Sequence, residues 1–184
     1  MKTGIAAALG LFFLGLAGTA TAAEVFTARM LREGGPNSER VLNIRIELDG
    51  YSSTEEIAAL ARTINEKGWE PFMAAFRATK KGVIRFMGAR GFNVTINAAH
   101  SRPTEGGRVV ELFGERQTWE ADTHSINTRE GYLFVVVRLE LNAKGKWDGK
   151  IYHQSNIKLE PNGTLALDTY NAAPKLLIAV RQSK

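Results

Sequence analysis

The stretch Leu42-Asn43-Ile44-Arg45-Ile46-Glu47-Leu48-Asp49 decides the fold class of this chain. Leu42, Ile44, Ile46 and Leu48 alternate with polar or charged residues, the two-residue period of a strand with one dry face and one wet face. Immediately afterwards the period lengthens to about 3.6 residues. Ser52 and Ser53 each stand three positions before a glutamate, Glu55 and Glu56, the spacing of a capping box in which hydroxyl and carboxylate satisfy the free amides of a helix start. Ile57, Leu60, Ala61 and Ile64 then make one apolar stripe, and Lys67-Gly68 supplies a cation and a left-handed cap at its end. Pro71 suits the first turn of a second short helix with Phe72, Met73 and Phe76 turned inward.

Working outward, Val25 to Met30 alternates with Phe26, Ala28 and Met30 on one face, and Gly34-Gly35-Pro36-Asn37-Ser38 ends that strand. Beyond Gly82 the β-branched and aromatic runs read as strands: Val83 to Met87, Phe92 to Ala99, Arg108 to Phe113, Tyr132 to Leu141, Trp147 to Leu159, Thr164 to Tyr170 and Lys175 to Val180. Short glycine-containing turns separate most of them, and such loops join antiparallel neighbours because a parallel crossover needs a dozen or more residues. The expected fold class is α+β: a large curled antiparallel sheet of about nine strands, an open barrel or two layers, with an inserted helix pair covering an end or an open flank. Tyr132 to Leu141 is apolar on both faces through Val137 and belongs in the middle of the sheet. Arg29, Arg45, Arg85, Arg138 and Lys158 alternate with apolar neighbours, as solvent-facing positions on strands do.

The first 23 residues carry a different pattern. Lys2, an apolar run from Ile5 to Ala17 and the small residues 18–23 have the order of a secretory signal peptide, with cleavage expected after Ala22 or Ala23. That run is too short for the roughly 20 residues a spanning helix needs, so no stable membrane anchor is expected after cleavage. The domain plan is a signal peptide over 1–23 and a single β-rich domain over 24–184, in a periplasmic or secreted location. The chain contains no cysteine, which excludes disulfides, thiol nucleophiles and a lipid-modified cysteine. A net charge of +5 favours anionic surfaces, yet nucleic acid is a poor partner for an exported protein.

The run from Ser52 through the helix pair resembles an uncharacterised family of small secreted bacterial proteins. The resemblance continues through Lys81-Gly82-Val83-Ile84-Arg85, Gly91-Phe92-Asn93-Val94, Gly107-Arg108-Val109-Val110-Glu111-Leu112, Tyr132-Leu133-Phe134 and Pro174-Lys175-Leu176-Leu177. It rests on spacing and on glycine, proline and apolar positions, and implies a fold without an established activity, cofactor or site residue.

Chemistry-bearing motifs are sparse. His100, His124 and His153 are far apart, and no metalloprotease, calcium-loop or nucleophile-elbow pattern occurs. Gly88-Ala89-Arg90-Gly91 has the look of a phosphate cradle but reads as a hairpin turn. Glu111, Glu115, Glu120 and Glu140 could serve as a glycosidase pair only if folding joined two of them. The polar stretch from Arg116 to Glu130 is either a binding loop or, if Thr118-Trp119 extends the preceding strand, a solvated connection of ordinary size. Candidate ligand-binding residues are therefore Trp119, Asp122, His124 and Arg129 in that stretch, with Trp147 and Tyr152 as aromatic platforms beside the sheet. No catalytic residue, metal or cofactor is assigned. The leading expectation is an exported non-enzymatic envelope protein binding a small apolar ligand or a protein partner, in an oligomeric state the sequence leaves open. A hydrolase of a cell-envelope polymer, with Asp122 and His124 in catalytic roles, is one alternative. A structural or inhibitory module presenting an edge strand, Lys175 to Val180, is the other.

Overall fold

The alternation around Ile44 is realised as a strand inside a sheet that curls until its two borders meet. The computed structural model describes residues 23–31, 41–88, 93–116, 133–159, 165–168 and 173–183. In chain order the elements are β1 (Glu24–Leu31), β2 (Val41–Leu48), α1 (Thr54–Lys67), α2 (Trp69–Ala78), β3 (Gly82–Met87), β4 (Asn93–Ile96) and β5 (Ala98–Thr104). They continue with β6 (Gly107–Glu115), β7 (Phe134–Leu141), β8 (Trp147–Leu159), β9 (Leu165–Asp168) and β10 (Lys175–Ser183). Nine strands follow one another in the order β4-β3-β2-β1-β10-β8-β7-β6-β5, all antiparallel, and β9 pairs with the far part of β8.

The borders of that row, β4 and β5, are successive parts of one chain segment. Asn97 is the corner between them, so the sheet nearly closes into a barrel through a covalent link. The Asn97 backbone N–H donates to the Phe113 carbonyl (2.8 Å), its side-chain amide donates to the Thr79 carbonyl (2.8 Å), and its side-chain oxygen accepts from the Glu115 N–H (3.4 Å). A buried amide that uses both donor and acceptor resists any alternative register. Gly114 lets β6 approach this corner, since a Cβ there would run into the Thr95 carbonyl oxygen and the Val94 side chain.

Barrel closure sorts the apolar residues into two clusters. Phe26, Ile44, Ile46, Ile84, Val94, Leu112, Val137 and Ile151 are among those filling the inside, each at most 2 % exposed. Phe134, Val136, Ala98 and Ile157 point outward and are covered by Leu60, Phe72, Met73 and Phe76 of the helix pair. β7 thus has apolar residues on both faces, Val135, Val137 and Leu139 inward and Phe134 and Val136 under the helices. Phe76 meets Phe134 edge to face at 5.3 Å, a geometry that adds to simple burial. The capping box forms at Ser53 and Glu56, while Ser52 ties the helix entry to β5 by its hydroxyl and N–H on Ala99.

Two sequence expectations change. The strand read as Phe92 to Ala99 is broken at Asn97 and runs on to Thr104, because the corner shifts the inside-outside parity by one residue. Lys175 to Val180 is no edge: β10 is paired on both sides, to β1 and to β8. The outward face carries Arg45, Glu47, Arg85 and Arg138, the reverse of a membrane-spanning barrel, whose apolar band faces out. Among the described residues no helix is long and apolar enough to cross a membrane.

Candidate functional site

Strand parity decides which aromatic candidates can act together. Trp147 and Tyr152 are an odd number of residues apart on β8 and face opposite sides. Trp147 points into the barrel, 7 % exposed, its ring set edge-on against Phe26 at 5.2 Å. Tyr152 packs at the margin of the helix-covered cluster. The structure does not bring them into one rim. Trp119, Asp122, His124 and Arg129 lie outside the described residues, although the bases of their stretch are tied by the Arg116 N–H donating to the Leu133 carbonyl (2.6 Å).

The described carboxylates are set against cations rather than against one another. Glu111 and Glu140 both engage Arg138, at 3.3 and 2.6 Å, and Glu115 takes two hydrogen bonds from Arg77. His100 sits exposed on β5 opposite Glu111, and His153 lies inside the barrel with Nε2 3.3 Å from the Met30 sulfur. Among the described residues no group of three His, Cys, Asp or Glu side chains is placed to hold a metal ion.

One end of the barrel carries a polar cluster that sequence reading missed, because its members are distant in the chain. Glu24 accepts two hydrogen bonds from Arg108 (3.0 and 2.8 Å) and one from Gln182 Nε2 (3.0 Å). The Arg108 guanidinium carbon is 5.2 Å from the Trp147 ring centroid, closing the barrel over the indole. Its hydrogen bonds with Glu24 make Arg108 hold its proton more tightly than an ordinary arginine. Beside them burial, with the Glu24 charge adding to it, pushes the Tyr51 phenol up to about 12. Every charge here is answered locally, which is the chemistry of a clasp.

The opposite situation holds on the outer face of β3, β2, β1, β10 and β8, which the helices leave uncovered. Leu31, Met87 and Leu176 are 38, 52 and 50 % exposed, the large hydrophobics that stand out among the described residues. The pairings Asn43 with Met87, Asn43 with Arg29 and Arg29 with Ile178 form one row across four strands. Leu176 pairs with Lys150 in the next row, and continuing the Met30–Leu177 register by one residue sets Leu31 opposite Leu176. Between β8 and β10 the ladder skips from Leu177 to Val180, with Ala179 at a φ of 52°. A half-open groove of about 200 Å³ lies there, between Leu176 and Ile178 on one side and Arg138, Glu140, Asp148 and Lys150 on the other. That is below the usual range of roughly 300 to 1,000 Å³ for a pocket enclosing a small molecule.

Charges on this face are unevenly matched. Arg45 and Arg85 share one carboxylate, Glu47, at 2.8 and 3.0 Å, and their hydrogen bonds hold its carboxyl below the usual range. Arg29, Lys150 and Arg181 have no carboxylate within ion-pair distance among the described residues. The face therefore combines protruding apolar groups with surplus positive charge, and neither property was visible before the register was known. No known protein family, curated protein or solved structure matches this chain.

Proposed function

We propose that the chain is an exported, non-enzymatic envelope protein that acts by binding, and that what it binds lies on the outer face of β10, β1, β2 and β3. The observation that carries this reading is the division of apolar side chains. The inner face is occupied by the protein's own core, whereas Leu31, Met87 and Leu176 all stand on one outer face that α1 and α2 leave uncovered. A small apolar ligand inside the barrel would have to displace Phe26, Ile46 or Trp147, at a cost of roughly 1.5–3 kcal/mol for each large side chain driven into water. A partner laid on the outside displaces none of them. Arginine pairing of Glu111, Glu115 and Glu140 supports binding over hydrolysis at those positions.

A photo-crosslinker placed in turn at Leu176, at Met87 and at the exposed Glu66 of α1 tests this in the native host. Adducts from the first two positions and none from Glu66 are expected; adducts from Glu66 alone refute the outer-face reading. The edge-strand reading draws on β9, whose sheet neighbour among the described residues is β8 alone. A crosslinker at Ala166 yielding the sole adduct would favour it.

A further inference from the structure

Resting on that outer-face reading, we infer that the partner is an anionic phospholipid surface, met by Leu31, Leu176 and Met87 at the level of the headgroups while Arg29, Lys150 and Arg181 contact phosphates. Three features of the face select a bilayer over a protein. First, the apolar groups, Leu31 beside Leu176 and Met87 apart from them, stand among cations, the pattern of interfacial binding in which side chains enter the headgroup boundary and basic residues stay at the phosphates. Second, among the described residues no aromatic side chain stands on the outer side of β3, β2, β1 or β10, and Tyr152 on β8 packs at the margin of the helix-covered cluster, whereas protein interfaces rely on aromatic and arginine anchors seated in pockets and make little use of leucine. Third, the face is the convex outside of a barrel and the groove between β8 and β10 holds only about 200 Å³, a small seat for a partner's anchor, while a bilayer conforms to a convex surface.

Charge complementarity supplies the remaining selectivity. Glu47 is already committed to Arg45 and Arg85, and Glu140 to Arg138, so among the described residues Arg29, Lys150 and Arg181 face outward without a carboxylate at ion-pair distance. Among the described residues of β8, Asp148 is an acidic side chain beside this face, and Lys146 lies 3.4 Å from it. Association with anionic lipid is then electrostatic at long range and apolar at contact, which makes it reversible by salt.

Protein recovered from its own host, with the natural N-terminus fixed by intact mass, is sedimented with phosphatidylglycerol-rich vesicles and with pure phosphatidylcholine vesicles. The inference predicts binding to the first and not the second, release at high salt, and about tenfold weaker binding for Leu31→Ser/Leu176→Ser and for Arg29→Glu/Lys150→Glu. Arg62→Glu/Lys67→Glu on α1, an equal change of charge on the helix side, leaves binding unchanged. Thermal unfolding of each variant verifies that it is folded. Equal binding to both vesicle types, no binding to either, or outer-face variants that bind like the parent would overturn the lipid assignment. If vesicles are not bound but the Leu176 crosslinker captures a protein, the lipid assignment falls and the outer-face reading survives. If neither occurs, both fall.

Discussion

Glu24 and Arg108 stand 84 residues apart in the chain, yet their side chains lie fork to fork, with Nη1–Oε1 and Nη2–Oε2 distances of 3.0 and 2.8 Å. Three strands separate β1 from β6 around the barrel, so the pair spans one mouth of it. The Glu24 side chain is 11 % exposed and that of Arg108 27 %, placing the pair between surface and interior behaviour. Removing one partner strands a charge that is hard to hydrate. Arg108→Ala is expected to lower stability by about 2 kcal/mol, and Glu24→Gln/Arg108→Met to recover part of that loss. Urea unfolding monitored by Trp fluorescence reads both, and a single-variant cost under about 0.5 kcal/mol would contradict the clasp.

Asn97 makes a second test, because it is where the two borders of the sheet become one strand. Asn97→Ala leaves the Thr79 carbonyl and the Glu115 amide without their partner, at an expected cost of roughly 2–4 kcal/mol. Asn97→Asp should not restore stability, since a carboxylate cannot donate to the Thr79 carbonyl. Thermal unfolding of the two variants, each within about 1 kcal/mol of the parent, would show that the corner is not a structural determinant.

Ser155 offers a change in the opposite direction. Its hydroxyl is fully buried on the helix side of β8 and has no hydrogen-bond partner among the described residues. Ser155→Ala removes an unmet hydrogen-bonding group at the loss of one atom. Stability should rise by up to about 1 kcal/mol, read from the urea midpoint at unchanged slope.

Alkaline pH probes Tyr51. Its folded value of about 12 lies above the ordinary 10, so the neutral phenol contributes stability that is fully present below pH 10 and is lost as pH rises from 10 towards 12. The absorbance of phenolate should show one tyrosine titrating late. Tyr51→Phe should abolish that tyrosine's share of the stability loss in the same window; an unchanged pH profile would refute the assignment.

Legibility followed the range of the interactions. The Ile44 alternation, the Ser53–Glu56 box and the two-faced apolar run of β7 are written in neighbouring residues, and each formed as read. The parity shift at Asn97 was hidden because Val94, Ile96 and Ala98 keep a perfect alternation through a corner that tertiary hydrogen bonds create. The place of β10 between β1 and β8 was equally hidden, since strand order depends on which distant strands close the barrel. For the site, Trp147, expected as an aromatic platform beside the sheet, lies inside the barrel at 7 % exposure. Leu31, Met87 and Leu176 carry no signal in the sequence because single exposed hydrophobics are ordinary until register gathers them on one face.

Covalent carbene footprinting compares labelling of Leu31, Met87 and Leu176 in the purified protein with labelling in its native envelope preparation. If the outer face of the barrel is where this protein binds, all three lose label in the envelope while exposed residues of α1 keep theirs. Equal labelling of the three residues in both preparations would contradict the account.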